Sequence, residues 1–295
     1  MNQDIIHKIG LGTVQFGLDY GISNEGGRPT LDEVQRILEL ALDERLDVLD
    51  TAAGYGESES VLGQCLKKLP PKAFKIITKF MGCCSEVELR EQFSKSVERL
   101  NVCEVYGLLA HRPLELVKFP EVWKGLQNLK SDGLVVKVGY SLNTLEEFQQ
   151  LEKMHETMGY PDLVQVPFNY FDDRFVDVMK KLKSKGCEVH SRSAFLQGLF
   201  FMSIDKLSSH FDSAKLEIKC LQDKFGDSLS GVLLNYSLEK EYIDRVIIGV
   251  QNADQLNQNI AAVNVSRTNK IELLDCKKTI SDEIVIPSNW RKLNY

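Results

Sequence analysis

Four side chains in the amino-terminal part of the chain could carry out acid–base chemistry on a polar substrate: Asp50, Tyr55, Lys79 and His111. Asp50, Lys79 and His111 end or follow short apolar runs, and Tyr55 lies five residues beyond Asp50. A substrate oxygen that gains negative charge during a reaction needs a neighbour able to give up a proton. A free phenol holds its proton with a pKa near 10, but an ammonium beside it favours the phenolate, and a carboxylate keeps that ammonium charged and in place. An imidazole can add a hydrogen bond to the oxygen, worth of order 3 kcal/mol for one well-aimed donor. Taken singly, each residue has a plainer reading: Asp50 as a helix cap, Tyr55 as a packed aromatic, Lys79 as a solvated strand end, His111 as a hydrogen-bonded core residue. Their joint arrival at one rim is what points to catalysis.

That arrival requires a particular scaffold. Strand-like runs occur at Lys8–Thr13, Asp47–Asp50, Phe74–Lys79, Val105–Ala110, Val135–Tyr140, Leu163–Pro167, Cys187–His190 and Arg245–Gly249. Helical patterns follow most of them: Thr30–Arg45 opens on a capping Thr and spaces Val34, Ile37, Leu38 and Ala41 by three and four, and Glu57–Lys67 is a second. Strands alternating with helices pair in parallel, and eight of them predict a (β/α)₈ TIM barrel, α/β in class, whose chemistry gathers at the carboxyl ends of the strands. The competing open sheet would carry GxGxxG after its first strand, and Gly10 and Gly12 are too little to stand for it.

Length and composition agree with one enzyme-sized domain over 1–295, with 264–295 as a carboxyl-terminal tail near the active-site rim. Of the 295 residues 43% are hydrophobic and 26% charged, enough for a large core. The net charge of −6, without a basic cluster, argues against a nucleic-acid partner. The opening MNQDIIHKIG has no basic flank and apolar run, and no stretch reaches 18 apolar residues, so a cytoplasmic protein without a membrane partner is expected. The seven cysteines show no CxxC pair, which predicts reduced thiols, adjacent Cys83 and Cys84 included. A metal-dependent barrel hydrolase would need clustered ligands, and His111, Asp50 and His190 are too few; no metal is expected.

DTAAGYGESESVLG, from Asp50 to Gly63, resembles the aldo-keto reductase signature. TKF at Thr78–Phe80 and LLAHRP at Leu108–Pro113 resemble that family's Lys and His motifs. VGYSLN at Val138–Asn143, VQVPFNY at Val164–Tyr170 and IIGVQNADQLNQNI at Ile247–Ile260 are similar to its cofactor-binding segments, in the right order. The resemblance implies an NADP(H)-dependent oxidoreductase acting on an aldehyde or ketone, with Tyr55 as general acid, Lys79 and Asp50 tuning it, and His111 orienting the carbonyl. It implies cofactor contacts from Thr13, Asp50, Ser141, Gln165, Arg192, Ser193, Gly249, Gln251, Gln255 and Asn259. Gln165 and Ser141 would hold the nicotinamide carboxamide. Arg192 stands where the family often stacks an aromatic, and either stacking or an anion contact is open to it. Gly249 and Gln255 replace the usual cations for a 2′-phosphate, as in some NADPH-binding relatives, so NADPH is expected ahead of NADH. A small carbonyl substrate and a monomer or weak oligomer are implied. The rival is a cofactor-binding regulatory barrel with little turnover, against which the complete set of four residues stands. Substrate choice would lie in Gly17–Arg28, Arg112–Pro120, Gln197–Asp212 and Ser266–Tyr295. The amino terminus is too short for a full hairpin across the barrel floor; Trp123 reads as packing, and Trp290 as a residue that could cover the site.

Overall fold

The computed structural model describes residues 5–24, 26–271, 273 and 280–292. Eight strands close into a barrel in chain order, each parallel to the next: β1 (Ile9–Gly12), β2 (Val48–Asp50), β3 (Lys75–Phe80), β4 (Val105–Ala110), β5 (Val135–Ser141), β6 (Leu163–Pro167), β7 (Glu188–Arg192) and β8 (Arg245–Gly249). The seam is β8 against β1, with Ile9 opposite Val246 and Gly12 opposite Gly249. The crossovers and the carboxyl end supply α1 (Leu31–Asp43), α2 (Ser58–Leu66), α3 (Glu86–Leu100), α4 (Pro120–Ser131), α5 (Leu145–Met158), α6 (Val176–Ser184), α7 (Asp212–Phe225), α8 (Leu229–Leu238), α9 (Ala253–Thr268) and α10 (Asp282–Val285).

Local chemistry sets these limits. The Thr30 hydroxyl accepts the Glu33 N–H at 3.2 Å, capping α1, whose Val34, Ile37, Leu38 and Ala41 face the barrel. The helix stops two residues short of the expected Arg45, which adopts a left-handed backbone (φ 60°) and turns the chain into β2. Thr144 and Glu147 form a reciprocal capping box at the start of α5. The largest difference from expectation is β7. Its ladder runs on to Arg192 opposite Pro167, and the polar pair Ser191 and Arg192 hid that extension from an apolar-run reading.

Inside the barrel, Val48, Ile77, Leu109, Leu163 and Ile247 form one apolar plate. Gly10 makes room for it, since a β-carbon there would lie 2.6 Å from Ile247 and 3.1 Å from Val48. On one side of the plate lies the floor, a polar network. Asp47 pairs with Lys75 at 2.7 Å and Arg245 at 3.3 Å. Glu188 accepts from the Tyr106 hydroxyl at 2.6 Å, shares a 2.6 Å bond with His190 and pairs with Lys137. On the other side lies the rim formed by the carboxyl ends of the strands.

Around the barrel, the main core fills the space between strands and helices. Trp123 packs there as expected, donating its indole N–H to Met158 O at 2.9 Å. A second apolar cluster, including Leu196, Phe200, Phe211, Ile218 and Leu233, lies beneath the long connection after β7. Trp290 is buried in it, edge-on to Phe211 at 5.1 Å with its N–H on Ile284 O, so it anchors the carboxyl segment to this cluster. The segment 264–295 begins as the last turns of α9, and part of its remainder lies outside the described residues.

Candidate active site

Asp50 is the last residue of β2, Lys79 stands one residue before the end of β3, and His111 follows β4 directly. Parallel register brings these three strand ends to the same height, with Asp50 opposite Ile77 and Lys79 opposite Leu109. The Lys79 ammonium donates to Asp50 Oδ2 at 2.7 Å, to Thr51 O at 3.0 Å and to the Tyr55 hydroxyl at 3.4 Å. It also lies 5.0 Å from the centre of the Tyr55 ring. The His111 ring meets Tyr55 edge-on, centroids 5.7 Å apart. All four predicted residues therefore meet.

Burial decides the charge states. Lys79 and Asp50 are almost wholly enclosed, at 1% and 5% side-chain exposure, so each depends on the other for its charge. Burial pulls the Lys79 ammonium down, but the Asp50 carboxylate and the Tyr55 oxygen outweigh it, and the net shift is upward. Lys79 is a cation. Burial, then the charges of Lys79 and Arg192, push His111 down to about 4, so its imidazole is neutral at pH 7. The arrangement can hold a proton on a phenol beside a fixed positive charge, with a neutral hydrogen-bond donor alongside.

Tyr55 needs a fixed loop, and glycine provides it. A β-carbon on Gly17 would lie 1.9 Å from Tyr55 O and 2.4 Å from Ser58 N, so only glycine lets the turn after β1 press against the Tyr55 turn. Thr13 braces the same corner. Its fully buried hydroxyl donates to Asp50 O at 3.0 Å and pairs with Ser58 at 2.8 Å, so Thr13 supports Asp50.

The remaining predicted residues line the rim from β5 to β8. Gln165 donates to Asp50 Oδ1 at 2.8 Å, while its own carbonyl oxygen is buried with no donor. Its register partner is Ser141. An unsatisfied acceptor next to a hydroxyl fits the amide of a nicotinamide, which offers both a donor and an acceptor. Arg192 reaches over β6 to Leu142 O at 2.8 Å and Asn143 Oδ1 at 2.7 Å. Ser193 is left-handed (φ 66°), and its carbonyl accepts from Asn169 at 3.0 Å. Gly249 ends β8 against Gln15. Gln255 folds back to accept the Gln251 N–H at 2.8 Å, and Asn259 is buried one turn further along α9.

Several supporting residues were not legible in the sequence. Ser58 ties Thr13 to Thr51. Glu59, within a run that reads as a solvated helix face, is buried and accepts from Thr78 and Arg99 at 2.6 Å each. Glu33 accepts the Ala253 N–H at 2.7 Å and pairs with Arg36, bringing a guanidinium towards the start of α9. Its capping position could be read from the sequence; its long-range contact could not. Among the described residues no group of three or more His, Cys, Asp or Glu side chains is placed to hold a metal, and no helix is long and apolar enough to cross a membrane.

Comparison with known proteins agrees with this geometry. The Aldo/keto reductase family model matches residues 8–279. L-galactose dehydrogenase of Arabidopsis thaliana is 25% identical over 285 residues, covering 88% of this chain and 84% of that protein. The NADH-specific methylglyoxal reductase of Escherichia coli is 22% identical over 263 residues, covering 75% and 79%. The solved glycerol dehydrogenase of Gluconobacter oxydans superposes with a TM-score of 0.66 at 19% identity, covering 92% of this chain and 95% of that one, a likeness of fold. With the family model spanning most of the sequence and the barrel carrying the family's motifs at its rim, the chain belongs to the aldo/keto reductase family and is an NAD(P)H-dependent oxidoreductase.

Proposed function

We propose that the protein reduces a small aldehyde or ketone with NADPH, Tyr55 giving the proton to the carbonyl oxygen. One observation carries this reading: the buried contact series from Asp50 through Lys79 to the Tyr55 hydroxyl. The bound nicotinamide cofactor supplies the hydride. Ser141 and the unsatisfied oxygen of Gln165 would hold its carboxamide, with Arg192 and Ser193 beside them at the end of β7. As Tyr55 releases its proton, Lys79 faces the growing negative charge on the phenol, and Asp50 keeps Lys79 from moving. Neutral His111 donates a hydrogen bond that fixes the carbonyl oxygen within reach of Tyr55. The same groups run the reverse reaction, with Tyr55 as base.

The choice of NADPH rests on the start of α9. Helix amino termini favour anions, and Gly249, Gln251, Gln255 and Asn259 cluster there with Arg36 close by on α1. We further read the chain as cytoplasmic, a reading supported by the free thiols at Cys65, Cys83, Cys84, Cys103, Cys187 and Cys220, and as a monomer or weak oligomer. The segment 264–295 would border the substrate side of the rim. Fluorescence titration with each cofactor at low salt tests the reading: NADPH should bind more tightly than NADH. Equal or reversed affinities would remove the NADPH preference, and binding of neither would remove the reductase reading.

A further inference from the structure

Arg192 brings an unmatched positive charge to the rim. It ends β7 opposite Pro167 and lies on the same strand face as His190, which is fully buried opposite Gln165. Its guanidinium crosses β6 to the loop after β5, donating to Leu142 O at 2.8 Å and Asn143 Oδ1 at 2.7 Å, directly beyond Ser141. These two bonds hold the guanidinium in place. Ser141 and Gln165 are register partners, and the Gln165 carbonyl oxygen is the buried acceptor left without a donor. A nicotinamide held there by its carboxamide would have the guanidinium beside it.

Nothing nearby cancels this charge. Among the described residues the Arg192 hydrogen bonds go to uncharged oxygens, the third being Ser193 Oγ at 3.4 Å. The neighbouring acids have other partners: Asp50 pairs with Lys79, and buried Asp172 pairs with Arg174 at 3.3 Å. Asp282, 3.7 Å from Arg174, is largely exposed, where water and salt screen it. Two guanidiniums, Arg174 and Arg192, thus face one buried carboxylate. The excess is felt at the reaction centre, since Arg192 acts on His111 after burial and Lys79 in keeping that ring neutral. A nicotinamide ring is neutral in the reduced cofactor and cationic in the oxidised one. A fixed guanidinium plane lies favourably against the neutral ring and repels the cationic one, strongly where water is excluded. We propose that Arg192 sets the redox preference of the cofactor site, holding the reduced form tightly and the oxidised form loosely, so that the oxidised form leaves readily after each reduction. This rests on the reductase reading above.

Titration calorimetry of NADPH and NADP⁺ with wild type, Arg192→Met and Arg192→Lys tests this without any substrate. Both forms carry the same phosphates, so contacts to them cancel in the ratio of the two dissociation constants. Wild type should bind NADPH at least tenfold more tightly than NADP⁺. Arg192→Met should reduce that ratio at least fivefold, mainly by binding NADP⁺ more tightly, whereas Arg192→Lys, which keeps the charge, should retain most of it. Arg192→Gln, which keeps a donor for Leu142 O, takes the place of Arg192→Met if that variant does not fold. A wild-type ratio below tenfold overturns the proposal, as does a fall of less than fivefold in the neutral variant. An equal fall in Arg192→Lys also overturns it, because the effect would then lie in the shape of the side chain. In each of these cases both forms bind and the reductase reading stands; if wild type binds neither form, that reading falls and this proposal with it.

Discussion

Tyr55 and His111 touch edge to face above a buried ion pair, and this contact makes the site's pH behaviour specific. His111 titrates at about 4, below the ordinary histidine value near 6.5, because burial and two nearby cations oppose its charge. The fold thus favours the neutral ring. Its contribution to stability is complete above the ordinary value and is lost as pH falls towards 4. Two outcomes are expected. The pH profile of kcat/KM should show no imidazole inflection between pH 6 and 8, and the decline in stability from pH 6.5 to 4 in urea melts should be shallower in His111→Asn. An inflection near 6.5 that disappears in His111→Asn would mean that the ring is open to solvent. Lys79 offers the complementary case: a cation held by Asp50 inside the barrel, so Lys79→Met leaves a buried carboxylate with only Gln165 and should depress both activity and folding.

At the scale of elements, the proposed role of Tyr55 depends on two turns meeting, the one after β1 and the one after β2. Gly17→Ala should lower kcat at least tenfold, because its methyl would drive into the Tyr55 and Ser58 backbone and move the phenol from Lys79. Gly133→Ala is the control. Its φ of 74° makes alanine unfavourable by roughly 1 kcal/mol, but nothing lies within 4 Å, so stability should fall slightly and kcat should not. Equal kcat in both variants would show that the loop contact does not position Tyr55. The sequence revealed these elements unevenly. β4, whose side chains mostly face apolar layers, reads as an apolar run, and β6 reads as one interrupted only by Gln165; the limits of both matched. The far end of β7 did not, because Ser191 and Arg192 look like loop residues when seen alone. The four catalytic candidates were legible because Asp50, Lys79 and His111 sit at strand ends and Tyr55 in the loop just beyond one, each within a short motif. Ser58, Glu59 and Glu33 were not, because the contacts that tie them into the fold, to Thr13, Thr78 and Ala253, span at least 19 residues.

Across the whole molecule, the barrel is polar at both ends with an apolar plate between. The floor network hangs on Glu188, whose carboxyl is held well below the usual glutamate range: burial acts against the charge, but the hydrogen bonds from His190, Lys137 and Tyr106, with the electrostatic attraction of His190, outweigh it. A lowered carboxylate stabilises the fold above its ordinary value near 4.3, and this contribution drains away as pH falls below that value. Glu188→Gln should therefore be less stable than wild type at pH 7, and the difference should shrink between pH 5 and 3; a gap that stays constant would show that the network does not act through charge. The plate separates this floor from the rim, so Glu188→Gln should retain wild-type kcat at pH 7, where Tyr55→Phe does not. That contrast leads to the most direct test of the account, NADPH binding and aldehyde turnover in Tyr55→Phe. Losing one hydroxyl at constant ring volume should leave folding and cofactor affinity near wild type while kcat falls by roughly 10² to 10⁴-fold, a barrier increase of about 3 to 5 kcal/mol. A Tyr55→Phe enzyme that binds cofactor and keeps more than about a tenth of wild-type kcat would contradict Tyr55 as the proton donor.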